Sequence, residues 1–272
     1  MKTWLITGIS RGLGRSLAAA ALARGDMVVG TVRGAAPALP GLGRLHVITA
    51  DLADPAAADG VVEQAFAAAG RIDVIVNNAG YGLLGAVETA SDDEVARLFA
   101  VDVFAPFRLI RASLPRLRAQ GAGHIVNITS IAGRAPGAGS ALYAAAKHAL
   151  EGLSAALAQE IAPFGLKVTA VAPGAFRTDF LSGHSIRRSG AAAAYAGTVG
   201  RSLSAFDTMA GRQAGDPDRA AQAILRAVDT ENPPLHLLLG PDALARARAK
   251  LAAVTAEIDA WEAVTAGTNV PD

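Results

Sequence analysis

The opening of the chain restricts its fold more than any other stretch. An apolar segment, residues 3–6, leads directly into the sequence TGISRGLG, residues 7–14, and then into a segment with apolar side chains at helical spacing that ends near Gly25. Strand, glycine-rich loop and helix in this order suit a dinucleotide site, because glycines let the backbone approach a pyrophosphate and the helix N-terminus offers free N–H groups. An ordinary strand-to-helix turn would have the same order of elements.

Alternating strand-like and helix-like segments continue along the chain. Further strands are predicted at residues 27–32, 45–49, 72–76, 123–128, 166–171 and 235–239, and further helices at 56–69, 91–118, 141 to about 162, and 216–229. Ser91, backed by Glu94, is the predicted cap of the 91–118 helix, and Pro106 is predicted to kink it. The pattern predicts an α/β fold of the Rossmann type, with a doubly wound, mostly seven-stranded parallel sheet and helices on both faces.

Composition limits the class of protein. The 272 residues fit one domain, residues 1–272, in which 51% are hydrophobic and only 5% aromatic, so the core is built mainly from aliphatic side chains. A net charge of +1 gives no electrostatic basis for binding nucleic acid or an anionic membrane. The chain has no cysteine, no signal-peptide pattern and no uncharged apolar run of ~20 residues, which favours a cytoplasmic protein. Its histidines form no pair at metal spacing, so no metal site is predicted.

Ser130, Tyr143 and Lys147 form the candidate catalytic set. Tyr143 and Lys147 are four residues apart in an alanine- and leucine-rich segment, so on a helix both side chains leave the same face about one turn apart. Ser130 follows an apolar strand, at the edge where open parallel sheets bind their ligands. A fixed ammonium lowers the pKa of a phenol from about 10, so Lys147 is predicted to favour the Tyr143 phenolate. A core tyrosine and a solvated lysine would leave the same YxxxK pattern.

Two arginines and an aspartate bear on the choice of cofactor. Arg33 ends the second predicted strand, where an acidic residue would bind a free ribose 2'-hydroxyl and an arginine can pair with a 2'-phosphate. Arg33 and Arg11 therefore favour NADP over NAD, although both also suit a solvated surface. Asp51 and Leu52 follow the third strand, where the carboxylate is placed either to meet an adenine amino group or to cap the next helix.

With these residues in view, the chain resembles the short-chain dehydrogenase/reductase family over nearly its whole length. The motifs that carry the resemblance are TGxxxGxG from Thr7, Asp51, NNAG at 77–80, Ser130, YxxxK from Tyr143, and Pro173-Gly174 with Thr178. The resemblance implies direct hydride transfer between NAD(P) and a substrate carbon, with NADP preferred and NAD possible. The residues that it implies along the cofactor are Gly8, Ser10, Arg11, Gly12, Leu13, Gly14, Arg33, Asp51, Leu52, Asn78, Ala79, Gly80, Tyr143, Lys147, Pro173, Gly174, Phe176 and Thr178.

The resemblance also implies chemical roles. Tyr143 would be the general acid in carbonyl reduction and the base in alcohol oxidation, while Ser130 would hydrogen-bond the substrate oxygen and Lys147 the nicotinamide ribose. One position departs from the family pattern, because Asp102 stands where the family usually has an asparagine that helps position a water. An ionised Asp102 near Lys147 would offset part of the effect of that ammonium on Tyr143. We therefore expect an upward-displaced pH optimum for oxidation.

The substrate pocket is predicted to be apolar. Residues 175–215 are polar and rich in glycine and alanine without a clear period, and so long a structureless insertion is typical of a substrate lid. Residues 242–264 follow as a helical tail. The expected pocket side chains are Phe176, Phe180, Leu181, His184 and Tyr195 in the lid, with Leu83, Leu84 and Val87 after the NNAG turn. They suit a lipid-like, aromatic or polyketide-type ketone or alcohol.

Three hypotheses for the function follow. The leading hypothesis is an NADP-dependent carbonyl reductase or alcohol dehydrogenase. The alternatives are a non-catalytic NADP-sensing regulator and an isomerase on the same fold that recycles its nicotinamide. The resemblance also implies a homodimer or homotetramer formed through the helix that carries YxxxK and the next long helix, and small residues at Ala144, Ala155 and Ala156 are compatible with such packing.

Overall fold

A computed structural model describes residues 1–39, 44–183 and 185–270 of the chain. Within these residues the strands are β1 (Thr3–Ile6), β2 (Met27–Val32), β3 (Leu45–Thr49), β4 (Val74–Asn77), β5 (Gly82–Leu84), β6 (Gly123–Ile128), β7 (Leu166–Pro173), β8 (Ile186–Arg188) and β9 (His236–Leu239). The helices are α1 (Gly12–Ala23), α2 (Ala57–Ala69), α3 (Asp92–Phe99), α4 (Ala105–Gln120), α5 (Ala141–Ile161), α6 (Arg201–Met209), α7 (Pro217–Asp229), α8 (Pro241–Ala260) and α9 (Glu262–Ala266).

Seven of the strands form one parallel sheet in the order β3-β2-β1-β4-β6-β7-β9. The chain leaves β1 toward one edge through β2 and β3, and then returns to the other side of β1 through β4. The order of strands therefore reverses between β1 and β4, and such a reversal opens a crevice at the carboxyl ends of the strands. The predicted Rossmann-type fold is confirmed.

Side chains of the central strands alternate between two cores, one on each face of the sheet. In β1, Trp4 and Ile6 pack in one cluster with Leu17 of α1 and Ile224 of α7. Leu5 points to the other face, in a second cluster to which α2, α4 and α5 contribute. Buried strands enclosed by helices on both faces explain why the strand segments are almost wholly apolar.

The predicted 91–118 helix is two helices joined by a wide π-helical turn at Ala100–Phe104. Ser91 caps α3 in a complete capping box with Glu94, as predicted. Pro106 lies in the first turn of α4 and has no N–H to donate to the carbonyl four residues earlier. The helix forms a wider, π-helical turn just before the proline. Asp102 lies within that turn and is fully buried.

Residues 175–215 were predicted to be structureless, and this was wrong. The segment contains several short helical turns, the nine-residue helix α6 and the strand β8, which pairs in parallel with β5 to form a second, two-stranded sheet. The flanking backbone bonds from Gly82 N–H to the Ser185 carbonyl and from Ser189 N–H to the Leu84 carbonyl are 2.9 and 3.0 Å long. The sequence offered little indication of these elements, because the alanines and glycines of this segment show no hydrophobic periodicity. The strand β8 also forms only by pairing with β5, which is distant in the sequence. His184 of the predicted pocket lies outside the described residues.

From residue 216 onward, the observed helices lie where the sequence predicted them. Asp216 caps α7, with its carboxylate accepting from the N–H groups of Asp218 and Arg219. The helical tail is divided into α8 and α9. None of the helices within the described ranges is both long enough and apolar enough to cross a lipid bilayer.

Candidate active site

The glycine-rich loop after β1 is held against the NNAG turn after β4. The Thr7 hydroxyl accepts from the N–H groups of Asn78 and Ala79, each at 2.9 Å. The Asn78 side-chain amide donates in return to the carbonyls of Thr7 and Gly8, at 2.8 and 3.2 Å. A Cβ placed on Gly14 would lie 2.3 Å from the Asn78 amide nitrogen and 2.4 Å from the Gly8 carbonyl oxygen. Glycine is therefore required there for close packing of the loop on the turn.

The N-terminus of α1 fits a phosphate group. Gly8 and Gly12 have positive φ angles of 74° and 56°, which turn the backbone through the loop. Arg11 occupies the N-cap position but its side chain makes no capping hydrogen bond, and the first turn has no acidic residue. The first N–H groups of the helix are thus left for an anion, and the helix dipole favours negative charge at that end.

A buried ion pair lies beside the NNAG turn. The Lys147 ammonium is 3.0 Å from Oδ2 of Asp102, and it also donates to the Ile128 carbonyl at 3.2 Å. Oδ1 of Asp102 accepts from the Tyr81 backbone N–H at 3.1 Å. A Cβ placed on Gly80 would lie 2.9 Å from the Asp102 carboxylate and 3.3 Å from the Lys147 nitrogen, so the turn packs directly on the pair.

Electrostatics of this pair favour the ionised lysine. Burial lowers the pKa of Lys147, but the charge and hydrogen bonding of Asp102 together with the charge of Tyr143 outweigh it, so the pKa is raised. Burial raises the pKa of Asp102, while the ammonium of Lys147 acts in the opposite direction. With an ammonium at 3.0 Å and a backbone donor on its other oxygen, the carboxylate is held as the charged partner.

Tyr143 lies one helical turn before Lys147 on α5, and its ring is buried. The ammonium of Lys147 is 5.7 Å from the centre of the Tyr143 ring, and the centre of the Phe180 ring is 5.9 Å from it. Burial raises the pKa of Tyr143 above its ordinary value; Lys147 and a hydrogen bond with Ser130 lower it, and Asp102 raises it. Lys147 therefore acts on the Tyr143 pKa in the predicted direction, but burial and Asp102 outweigh it, so the pKa lies above its ordinary value instead of below it.

Ser130 and Thr129 face opposite ways at the end of β6. The Thr129 hydroxyl contacts a carboxylate oxygen of Glu151 closely and donates to the Val171 carbonyl at 2.9 Å. Glu151 is one turn beyond Lys147 on α5 and is paired with Arg134 at 3.0 Å. Thr129 thereby ties β6 to α5, whereas Ser130 is the hydroxyl on the side of Tyr143.

The loop after β7 reaches the glycine-rich loop from the other side. A Cβ placed on Gly12 would lie 3.6 Å from Cβ of Thr178. Asp242, at the start of α8, accepts from the Ala175 N–H at 2.8 Å and packs so closely that a Cβ on Gly174 would lie 2.3 Å from its oxygens. The carboxyl ends of β1, β4, β6 and β7 are thus gathered around one region, as the parallel sheet requires.

The residues predicted to bind the adenosine part of the cofactor, Asp51 and Arg33, make fewer contacts with the rest of the site. Asp51 accepts from the Ala53 N–H at 3.1 Å and is 3.4 Å from Arg97. It does not cap α2, since the residue at that cap is Ala56. The backbone bond to Ala53 and the charges of Arg97 and Arg33 hold the pKa of Asp51 below its ordinary value, so Arg33 lies near enough for its charge to act there.

Several other residues predicted to contact the cofactor differ in exposure: some are exposed, one is buried in the core, and two are half-buried. Ser10 and Arg11 are exposed in the glycine-rich loop, and Arg33 is exposed at the end of β2. Leu52 is buried in the core, where its side chain packs with the α2 cluster and not in the crevice. The half-buried side chains that line the outer core beside the crevice are Leu13 and Phe176.

Sequence reasoning missed three polar residues that organise this region. They are Thr7, which holds the NNAG turn, Glu151, which holds Thr129, and Asp242, which holds the loop after β7. Thr7 precedes the loop glycines in the sequence and offered a local signal. Glu151 and Asp242 are distant in sequence from their partners, so no local pattern indicated them.

Comparisons with known proteins agree with this geometry. A family model described as short chain dehydrogenase matches residues 2–188. The chain belongs to the short-chain dehydrogenase/reductase family of oxidoreductases.

Three relatives illustrate the similarity. The crystal structure of a short-chain dehydrogenase from Streptomyces avermitilis is 43% identical, with a TM-score of 0.90, and the match covers 99% of this chain and 100% of that one. The 3-ketodihydrosphingosine reductase of Bacteroides thetaiotaomicron is 35% identical over 238 residues, 87% of each chain. A short-chain dehydrogenase from Sphingobium yanoikuyae, solved in complex with NADPH, is 28% identical with a TM-score of 0.75 and 95% coverage of both chains.

Proposed function

We propose that the protein is an NADP-dependent oxidoreductase that transfers a hydride between the nicotinamide and the carbonyl or alcohol carbon of an apolar substrate. The observation that carries the proposal is the grouping of the Tyr143 phenol, the Lys147 ammonium and the Ser130 hydroxyl beside the NNAG turn. When bound, NADPH supplies the hydride for reduction, and NADP accepts it in oxidation.

Three side chains would handle the proton and the substrate oxygen. Ser130 donates a hydrogen bond that orients the carbonyl, and the Tyr143 phenol gives its proton to that oxygen as the hydride arrives. A raised pKa keeps Tyr143 protonated at neutral pH, which suits the acid role in reduction. Lys147 has three donors and uses two of them on Asp102 and Ile128 among the described residues, so one remains for a ribose hydroxyl.

Support for a dinucleotide comes from the loop itself. The positive φ angles at Gly8 and Gly12 and the uncapped N-terminus of α1 suit a pyrophosphate. The exposed guanidinium groups of Arg11 and Arg33 suit the 2'-phosphate of NADP. The relative solved with NADPH is consistent with this choice.

Support for an apolar ketone or alcohol comes from the surroundings of Tyr143. Phe180 packs on its ring, and Leu83 and Ala132 belong to the same apolar cluster. Val87, which the sequence placed in the pocket, is 61% exposed and is not part of that cluster. We include in this proposal that residues 175–215 form a lid over the substrate. The relative named 3-ketodihydrosphingosine reductase is consistent with a ketone substrate.

The decisive experiment measures NADPH and NADH oxidation over a library of carbonyl compounds, with Tyr143→Phe as the blank. We expect turnover with NADPH and apolar ketones, and a loss of roughly a hundredfold or more in Tyr143→Phe, because the proton donor is removed while the cofactor site remains. Binding of NADPH, followed by its fluorescence, should persist in the variant. Tight NADPH binding without turnover over the whole library would contradict the proposal and favour a sensor.

Cofactor preference has its own test in Arg33→Ala. We expect KM for NADPH to rise roughly tenfold to a hundredfold while KM for NADH changes little, because only NADPH carries the phosphate that the guanidinium would bind. Arg71→Ala is the matched control, since Arg71 is exposed and lies just before β4, at the opposite end of the strands. An equal change for both cofactors would remove Arg33 from the phosphate site.

We also propose self-association through α4 and α5. Phe104 and Phe107 at the start of α4 are 46% and 42% exposed, each with an arginine over its ring. Ala144, which the sequence suggested for such a face, packs in the chain's own core, so it is not available to a second copy. Ala156 is exposed on α5 and remains compatible with the contact.

A further inference from the structure

The C-terminal helix α8 carries an apolar stripe that runs off the body of the protein. Its first turns are anchored, because Ala243 and Ala247 are buried against the segment after Ser130, and Arg246 donates to the Ala135 carbonyl at 2.5 Å. From residue 248 to residue 270 every residue is exposed except Val254, which is half-buried. About 20 Å of helix therefore extends from the anchor to the end of α8.

Three exposed side chains on this extension of α8 are large and apolar. Leu251, Ile258 and Trp261 are 67%, 63% and 61% exposed. A solvated helix end has no reason to carry such residues on one side, and a stripe of this kind usually marks an interaction surface.

Spacing along the stripe is that of a helix pair. Leu244, Leu251 and Ile258 recur every seven residues, and Ala247, Val254 and Trp261 recur at the same interval in between. This is the alternation of three and four residues that lines the seam between two packed helices. The anchored alanines and the uncovered large residues belong to one continuous stripe.

Charges beside the stripe select the orientation of the partner helix. Arg248 and Lys250 flank its first half, and Glu257 and Glu262 flank its second half. In a parallel pair, Glu257 of one copy would lie beside Glu262 of the other, which is repulsive. In an antiparallel pair with Leu251 opposite Val254 of the second copy, Lys250 of one copy and Glu257 of the other are about 3 Å apart in height along the helix axis. Only the antiparallel arrangement brings opposite charges together.

We propose that the exposed half of α8 docks against the same helix of a second copy, antiparallel and about a two-fold axis. Leu251 then packs against Val254 of the second copy, in the part of the stripe that lies beyond the anchored turns. The occupant is a second copy because one helix supplies both the apolar seam and the two complementary charge pairs, which is the self-complementarity that a two-fold interface requires. This surface is separate from α4 and α5 and does not depend on the proposed activity.

Sedimentation velocity on the full-length chain tests the proposal. We expect the Leu251→Glu, Ile258→Glu double variant to have half the particle mass of the wild type at the same concentration. Ala256→Glu and Ala249→Glu are matched controls on the opposite, exposed side of α8, and their combination should keep the wild-type mass. Unchanged mass in Leu251→Glu, Ile258→Glu, or a wild-type monomer at tens of micromolar, would overturn the proposal. Thermal unfolding followed by circular dichroism checks that each variant is folded.

A charge exchange separates pairing from a general effect of mutation. Lys250→Glu alone and Glu257→Lys alone should each raise the dissociation constant by at least threefold, because each creates like charges across the seam. The Lys250→Glu, Glu257→Lys double variant exchanges both charges and should recover the wild-type constant. Failure of the double variant to recover, with both single variants weakened, would overturn the antiparallel orientation.

Trp261 provides an optical readout of the same equilibrium. Trp4 is buried and Trp261 exposed, so the fluorescence of wild type minus that of Trp261→Phe reports the second tryptophan. Dilution through the dissociation range should shift this difference spectrum to longer wavelength as Trp261 becomes solvated. A difference spectrum independent of concentration over a range in which the mass changes would place Trp261 outside the interface.

Discussion

A single acidic side chain distinguishes the catalytic candidates here from the usual pattern of the family. Asp102 is buried in the π-helical turn and pairs with Lys147 at 3.0 Å, as the sequence suggested for an ionised carboxylate at this position. Its charge acts on Tyr143 as well, raising the pKa of the phenol against the effect of Lys147. The proton affinity of Tyr143 is therefore set by two opposed charges in addition to its burial.

Asp102→Asn tests this balance. Removing the carboxylate leaves the attraction of Lys147 for the phenolate unopposed, so the pKa of Tyr143 should fall. Oxidation requires the phenolate, so its rate rises with pH through that pKa, and the rising limb of the pH–rate profile should move down by about one pH unit in the variant. The measurement compares kcat for alcohol oxidation in wild type and variant from pH 6 to 11. Superimposable profiles would show that Asp102 does not act on the phenol.

At the scale of secondary-structure elements, the site depends on how closely α1 and the glycine-rich loop approach the NNAG turn. The contacts of Thr7 and Asn78 fix that approach, and Gly14 leaves no room for a side chain between them. Helix α2 contains a glycine, Gly60, that does have room for a side chain. Gly60 lies in the interior of α2, and a Cβ there would meet its nearest neighbour, the Gln64 side chain, at 4.0 Å.

These two glycines predict opposite effects of the same substitution. Gly14→Ala forces a shift of the Gly8 carbonyl or the Asn78 amide, so we expect a loss of about 1–3 kcal/mol in the free energy of unfolding and weaker NADPH binding. Gly60→Ala removes backbone freedom from the unfolded chain and should gain about 0.5–1 kcal/mol without changing NADPH binding. Urea unfolding and NADPH fluorescence titration measure both quantities. Equal stability of the two variants would contradict the tight approach at Gly14.

At the scale of the whole molecule, stability should depend on a histidine far from the site. Nε2 of the buried His124 is 2.9 Å from the Thr169 hydroxyl, which donates its own proton to the Pro234 carbonyl. Thr169 therefore accepts from an Nε2–H, and Nδ1 is buried without a hydrogen-bond partner among the described residues. Burial and the charges of Lys167 and Lys2 lower the pKa of His124 to about 4.

The lowered pKa of His124 predicts loss of stability in acid. Between pH 6.5 and about 4 the unfolded chain binds a proton at His124 and the folded chain does not, so the free energy of unfolding falls as pH falls across this window. The contribution is about 3 kcal/mol over the full window. His124→Gln keeps a donor for Thr169 but does not titrate, and its unfolding free energy should fall less between pH 6.5 and 4. Parallel pH dependences of the two proteins would contradict the assignment.

The elements that the sequence predicted well are those with a strong local pattern. The apolar strands, the capping box at Ser91 and the start of α7 at Asp216-Pro217 are each specified by residues that are neighbours in the chain. Strand β8 was missed because its three residues are a strand only by pairing with β5, about a hundred positions earlier. The direction of the Tyr143 pKa was also missed, because burial is a property of the packed molecule.

The alternation of strands and helices, the family motifs, and the spacing that puts Tyr143 and Lys147 on one side of α5 can all be read from the residues alone, since periodicity and spacing are local. Three features depend on the packed fold: Asp102 reaches Lys147, Glu151 and Asp242 support the site, and the apolar stripe of α8 is left uncovered. The physical reason is that contacts between distant residues, and the loss of water that sets the pKa values, arise only when the sheet brings the ends of its strands together.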